Sequence, residues 1–182
     1  MVRYRFKNAI ETNTLEKLVN EVDVKGGDVF FITPGTMHAI GKGIVIAEIQ
    51  QRSNVTYRIY DFGRVGADGK TRELHIDKAL DVTKLECAKN AKKQYTLNKF
   101  EGYERGNLAI CEYFNVDLLN INDSVTLNCD ETSFNCITIL EGNCNINGKE
   151  SLEAKKGESI FIPASYGQYT INGKCKIILS TL

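Results

Sequence analysis

A short pattern occurs twice in this chain. Gly27-Asp28-Val29-Phe30-Phe31-Ile32 returns as Gly157-Glu158-Ser159-Ile160-Phe161-Ile162, 130 residues later. Each copy runs at once into one of the chain's two prolines, Pro34 or Pro163. A glycine turn, an acidic residue, a short apolar run and a proline bend make one local unit, so two copies imply two similar modules. After Val22, short runs rich in Val, Ile, Phe and Tyr are cut by Gly26-Gly27, Asp68-Gly69, Gly142-Asn143, Asn147-Gly148 and Asn172-Gly173. Such punctuation predicts an all-β sandwich or barrel. The second module, roughly Tyr95–Leu182, is long enough to be complete. The first, roughly Gly26–Glu86, has too few strands ahead of its repeat and reads as the second half of a barrel.

Only the first 22 residues carry a helical period, with Ile10, Leu15, Leu18, Val19 and Val22 on one face. Asn13 with Glu16 resembles a capping box. The best boundary is the polar stretch Cys87–Lys93, where Lys89, Lys92 and Lys93 read as a solvated connector. The expected division is therefore a helical segment over 1–25, a half-barrel over 26–90 and a second module over 91–182.

Composition narrows the function. At 182 residues the chain can bury a real core without disulfides or metals. Its 23 basic and 23 acidic residues cancel, which argues against a general nucleic-acid binder. No apolar run approaches a membrane span. The start Met1-Val2-Arg3-Tyr4-Arg5-Phe6-Lys7 has no signal-peptide pattern, so a cytoplasmic location is expected. There the six cysteines, Cys87, Cys111, Cys129, Cys136, Cys144 and Cys175, should be thiols. They contain no C-x-x-C pair, so they read as small buried hydrophobes, not as a zinc site.

Two histidines are present, His38 and His75. His38 follows the first bend, Thr33-Pro34-Gly35-Thr36-Met37-His38. A glycine turn, a strand and a Pro/Gly bend that projects a His resembles the metal-bearing half of a cupin jelly-roll barrel. In the same slot of the second copy stands Gln168, so that module is expected to be a metal-free, structural cupin. The plainer alternative for His38 is a hydrogen-bonded residue of a β core. His75, between Leu74 and Ile76 after a polar loop, reads as structural.

The residues around His38 carry a more specific likeness. Pro34-Gly35-Thr36-Met37-His38-Ala39-Ile40-Gly41-Lys42-Gly43 leads to Ala47-Glu48-Ile49-Gln50-Gln51, then Thr56-Tyr57-Arg58-Ile59-Tyr60-Asp61, then Arg72-Glu73-Leu74-His75-Ile76-Asp77-Lys78-Ala79-Leu80. This closely resembles the type I mannose-6-phosphate isomerases, zinc-dependent enzymes of the cupin superfamily, in their shorter bacterial form. The likeness reaches the tail motif Phe161-Ile162-Pro163-Ala164. It implies two cupin barrels, one partial and one complete, behind a short N-terminal helical segment. It implies interconversion of D-mannose 6-phosphate and D-fructose 6-phosphate in carbohydrate metabolism, with zinc. By resemblance His38 is a zinc ligand, Arg58 the active-site arginine and Glu48 an acidic residue near the metal.

The chemistry suits these types. Aldose–ketose isomerisation moves a proton between C1 and C2 through a cis-enediol. A metal polarises the sugar oxygens, a guanidinium holds an enediolate or a phosphate with paired donors, and a carboxylate moves the proton. Each has a plainer reading. Glu48 lies in the apolar run Ile44–Ile49, where either a metal or an ion pair with Arg52 or Arg58 would explain it. Arg58, among Tyr57, Ile59 and Tyr60, could cover an aromatic face. If it faced inward along a strand, Tyr57 and Ile59 would face outward.

The resemblance also marks what is missing. In the family three further zinc ligands, a Gln-x-His pair and a Glu, precede the His38 position. Here 37 residues precede it, with no histidine among them. The likeness is to the C-terminal portion of the enzyme. One His and one Glu do not make a catalytic zinc site, which takes three protein ligands. Half a barrel also leaves strand edges open to self-association or a partner chain. A truncated frame, a split enzyme and pairing of two half-barrels all fit. The competing class is a non-catalytic cupin module that binds sugar phosphate weakly or partners a separate catalytic half. An iron-dependent dioxygenase ranks last, since it needs two histidines and a carboxylate together.

Overall fold

The N-terminal helical period becomes a helix that stops early. In a computed structural model, which describes residues 2–53, 55–86 and 91–182, α1 spans Val2–Glu11 and a 3-10 turn spans Leu15–Leu18. Asn13 ends α1: it takes φ +54, and the Thr14 N–H donates to the Ala9 carbonyl at 2.8 Å. Asn tolerates this left-handed closure better than most residues. The expected capping box is thus overturned, because Asn13 terminates one helix instead of starting another. Thr14, ahead of the 3-10 turn, makes no side-chain cap, and Val19 and Val22 lie exposed beyond it.

Two units can be distinguished, Met1–Ile46 with Arg52–Lys92 and Ala47–Gln51 with Lys93–Leu182. The first has a small core of Phe6, Ala9, Ile10, Leu15, Ile59, Ala79 and Leu80, edged by Met37, Tyr60, Ile76 and Leu85. Ala79 and Leu80 belong to α2 (Ile76–Val82), a second helix that the sequence reading lacks. Lys7 meets Asp77 at 3.0 Å and Arg3 meets Asp81, tying α1 to α2 at the surface. Among the described residues, sheet is scarce in this unit. β1 (Val29–Phe30) pairs with β2 (Lys92–Lys93), the strand at which the units divide, and Val65 bridges Thr71. The run Ile44–Ile49, expected as a strand, is irregular, with Ile44, Val45 and Ile46 exposed. It pairs with no strand among the described residues, and β pattern alone does not hold an unpaired strand.

The second unit is sheet. β3 (Asn98–Phe100), β4 (Tyr103–Ile110), β5 (Asn115–Ile121), β6 (Ser124–Cys129), β7 (Asn135–Asn147), β8 (Ser151–Lys155), β9 (Ser159–Ile162), β10 (Gly167–Asn172) and β11 (Cys175–Thr181) lie in the order β3-β4-β5-β11-β7-β10-β6, with β8 and β9 also on β7. Every pairing in it is antiparallel. The first part of β7 pairs with β9 and β11, and the part beyond Gly142 with β8 and β10. The sheet curls around Leu119, Ile121, Ile137, Ile139, Tyr169, Ile171 and Ile177, all at most 2% exposed. On the opposite face Val116, Leu118 and Ile178 are covered by Ile49, Tyr95, Leu97 and Leu140. The period of two explains both layers, since neighbours along a strand face opposite ways. The all-β expectation holds.

Cys129, Cys144 and Cys175 are buried thiols, and Cys111 and Cys136 are half-buried thiols. Cys87 and Lys89 lie outside the described residues. Among those described, no helix is long and apolar enough to cross a membrane.

The repeat is also a repeat in space. Gly27 and Gly157 take φ +91 and +90, and Gly35 and Ser165, eight residues on in each copy, take φ +83 and +64. The Asp28 and Glu158 carboxylates accept from the backbone N–H three residues earlier, Lys25 at 3.0 Å and Lys155 at 2.9 Å. The acidic residue of the motif is therefore a turn brace in both copies.

Candidate metal and substrate site

His38 hangs from the first of these bends. The Thr36 N–H donates to the Thr33 carbonyl at 3.1 Å, and the Lys84 N–H to the Gly35 carbonyl at 2.9 Å. A Cβ at Gly35 would stand 2.6 Å from the Val82 carbonyl oxygen, so only glycine fits where the bend meets the end of α2. Met37 packs on the helical core, which leaves His38 exposed. Its Nδ1 lies 3.0 Å from the Thr36 carbonyl oxygen. A carbonyl only accepts, so Nδ1 carries the proton and Nε2 presents the lone pair. That is the arrangement of a histidine ready to ligate through Nε2.

Arg58 is held differently. Ile59 is buried in the helical core, and Arg58 beside it is half-exposed. The condition considered for Arg58, facing inward along a strand with Tyr57 and Ile59 outward, is not met, and Tyr57 is the exposed neighbour. The chain is not a regular strand here, but it has a partner. The Arg58 N–H donates to His75 Nδ1 at 3.2 Å, and the His75 N–H donates to the Arg58 carbonyl at 2.7 Å. Three residues on along both arms, Arg72 Nε donates to Asp61 Oδ2 at 2.7 Å and its NH2 group contacts Oδ1. Nearer the turn Val65 bridges Thr71, and the Gly66 N–H donates to the Lys70 carbonyl at 2.8 Å. Residues 57–75 thus form an irregular hairpin, closed at the Asp68-Gly69 turn. The Arg72 guanidinium holds the Asp61 carboxyl below the usual carboxylate range, against a smaller opposing effect of burial.

Glu48 is exposed on the segment Ala47–Gln51, which belongs to the second unit. The apolar strand expected around it is absent, so burial in a strand is not what a metal or a cation must explain there. Among the described residues, no three His, Cys, Asp or Glu side chains stand together as a metal site. His38 has the form of a ligand, but the donors present do not make up a zinc centre.

In the second unit the position that corresponds to His38 is Gln168. Gln168 is exposed on β10, and the interior is occupied by its neighbour Tyr169, 2% exposed. The Asn135 side-chain N–H donates to the Tyr169 hydroxyl at 2.8 Å. A large aromatic tied to a buried amide fills the space with packing.

This geometry stands beside clear relatives. Residues 104–182 match the family described as mannose-6-phosphate isomerase, cupin domain. Mannose-6-phosphate isomerase ManA of Bacillus subtilis (strain 168) is 35% identical over 176 residues, which cover 95% of this chain and 55% of the relative. This chain is of the mannose-6-phosphate isomerase family. A Streptococcus mutans mannose-6-phosphate isomerase is 33% identical over 175 residues, covering 96% of this chain and 54% of its own. The crystal structure of the Bacillus subtilis mannose 6-phosphate isomerase aligns with a TM-score of 0.59 at 27% identity, over 69% of this chain and 40% of that one. The nine-stranded unit is the family's cupin fold. The chain spans about half the length of the curated relatives it matches.

Sequence reasoning named His38, Arg58 and Glu48 but missed what holds Arg58. The signal was present: Asp68-Gly69 sits midway between Asp61 and His75, the spacing of two arms and a turn.

Proposed function

We propose that this chain is the C-terminal portion of a zinc-dependent mannose-6-phosphate isomerase, which interconverts D-mannose 6-phosphate and D-fructose 6-phosphate. The observation that carries the reading is the coverage: similarity runs over 95% of this chain but 55% of the relative. In this reading His38 offers Nε2 as one ligand of a metal site whose other donors come from further polypeptide. Arg58 binds the sugar phosphate and steadies negative charge on it, and a guanidinium suits both tasks through its fixed pair of donors. Glu48 is the carboxylate for proton transfer. The donor set within this chain does not support a step through the metal, so the division of labour is one of binding here and completion elsewhere.

The donor set also favours a second reading, a non-catalytic cupin module that retains sugar-phosphate binding or serves a separate catalytic half. One experiment separates the two. Isomerase turnover of mannose 6-phosphate is measured for this chain with added zinc, alone and with a family N-terminal half supplied as a second polypeptide. Turnover that appears on mixing and vanishes in His38→Ala supports the enzyme reading. Mannose 6-phosphate binding without turnover under either condition leaves the module.

A further inference from the structure

The geometry points to His75 as the residue that positions Arg58. The inference rests on the substrate role proposed for Arg58, and it assigns work to a histidine that the sequence reading left as structural.

Two hydrogen bonds close a ring between these residues, Arg58 N–H to His75 Nδ1 at 3.2 Å and His75 N–H to the Arg58 carbonyl at 2.7 Å. The first is unusual in kind, because the acceptor that an ordinary ladder takes from the backbone comes here from a side chain. An imidazole nitrogen accepts only when it carries no proton, so the His75 proton sits on Nε2. That nitrogen lies 4.0 Å from Glu73 Oε2, a carboxylate suited to a protonated Nε2. The ring is set against the Tyr57 ring, centroids 6.1 Å apart.

His75 is itself fixed. Its carbonyl accepts from the Ala79 N–H at 2.9 Å, the first turn of α2, and Ala79 and Leu80 are buried in the helical core. A chain of contacts therefore runs from that core through α2 and His75 to the main chain of Arg58. Ile59, in the same core, holds the next residue. Arg58 has a long side chain with many rotamers, and the reach of its guanidinium depends on where its root is held. Water could satisfy the amide of a half-exposed residue, but it would not set the position of the main chain. The imidazole does both.

The test uses the intact 182-residue chain labelled with nitrogen-15. Two quantities are read by NMR: the exchange rate of the Arg58 amide proton and the affinity for mannose 6-phosphate. The variants are His75→Ala, His75→Asn, His75→Gln and, as the binding reference, Arg58→Ala. The amide signals of α1 and α2 report that the first unit of each variant is folded. Asn places a side-chain oxygen where Nδ1 stands, whereas Gln places it where Nε2 stands. His75→Ala is expected to speed Arg58 exchange roughly tenfold, the worth of one good hydrogen bond, and to weaken binding toward the Arg58→Ala level. His75→Asn restores both, and His75→Gln restores neither. Arg58 exchange that is indifferent to His75→Ala overturns the inference. Faster exchange with unchanged affinity also overturns it, since His75 would then brace the hairpin without serving the site. If the wild-type chain shows no Arg58-dependent binding, the substrate role of Arg58 has failed and the positioning role falls with it. The exchange data then still record whether His75 holds the amide, so the two failures are told apart.

Discussion

Asp117 is 5% exposed and is paired with Arg105, whose Nε and NH2 groups donate to Oδ2 at 3.1 and 2.5 Å. Asn107 adds a donor to Oδ1 at 2.9 Å. Asp117 shares its face of β5 with Leu119 and Ile121, so this is a carboxylate on the core side of a sheet. Removing the cation strands a buried charge, which costs more than the pair itself contributes. Arg105 is partly exposed, so water offsets some of that loss. Arg105→Ala is expected to destabilise the nine-stranded unit by about 2–3 kcal/mol. Asp117→Asn, which removes the charge, should cost less. Urea unfolding followed by far-ultraviolet circular dichroism measures both, and equal losses would contradict the charge argument.

β7 passes from one set of partners to the other at Gly142, which takes φ +75. A Cβ there would lie 2.1 Å from the Lys174 carbonyl oxygen. Gly142→Ala therefore combines left-handed strain with a clash against main chain, and a loss of roughly 3 kcal/mol or more is expected. Gly157, with φ +90, has open space around its added Cβ, so Gly157→Ala should cost only the strain, about 1 kcal/mol. Thermal unfolding of the two variants side by side tests the difference.

The contrast between these units also explains what the sequence made legible. In the second unit the alternation of Leu119 and Ile121 against Val116 and Leu118 is the structure, because both faces of the sheet are covered. The repeat at Asp28 and Glu158 was legible for a similar reason: its bonds are local, within three residues. The first unit broke the reading wherever structure depends on a distant partner. Ile44–Ile49 has the composition of a strand but pairs with none among the described residues. Asn13 has two uses, starting a helix or ending one, and the left-handed φ chose the second. α2 repeats Ile76, Ala79 and Leu80 over one turn only, too short a run to separate helix from strand by period. Of the site, residue types were legible at His38, Arg58 and Glu48, whereas the contact of Arg58 with His75 depends on folding across a turn.

Acid should loosen the first unit through its turn and hairpin carboxylates. Lys92, with the Lys25 N–H, holds the Asp28 carboxyl below its ordinary range, and Arg72 does the same for Asp61. A depressed folded-state value means that the stabilisation is present above the unfolded value, about 4, and is lost as the pH falls through the lower folded one. Stability of this unit should therefore decline below about pH 4. Arg72→Ala removes the main cause at Asp61, so its pH profile should be flatter in that range. Amide exchange of α1 and α2 residues between neutral and acid pH reads this directly, and parallel profiles for wild type and variant would refute it.

At the alkaline end the controlling group is Tyr169. Burial, opposed by the hydrogen bond from Asn135, pushes its hydroxyl up to about 12 from an ordinary 10.0. The folded state thus prefers the neutral phenol more strongly than the unfolded chain does. That preference contributes fully below the unfolded value and is lost as the pH rises from about 10 toward the folded one. The nine-stranded unit should lose stability across that interval. Tyr169→Phe should cost about 1–2 kcal/mol at neutral pH, because it leaves the buried Asn135 amide short of a partner. The same change should remove much of the alkaline loss, so the two stability curves converge at high pH. Tyrosinate absorbance offers a second reading: a late-ionising tyrosine of the wild type should be missing from the variant's titration. Curves that stay parallel from neutral pH to 12 would show that Tyr169 ionises without opposing the fold.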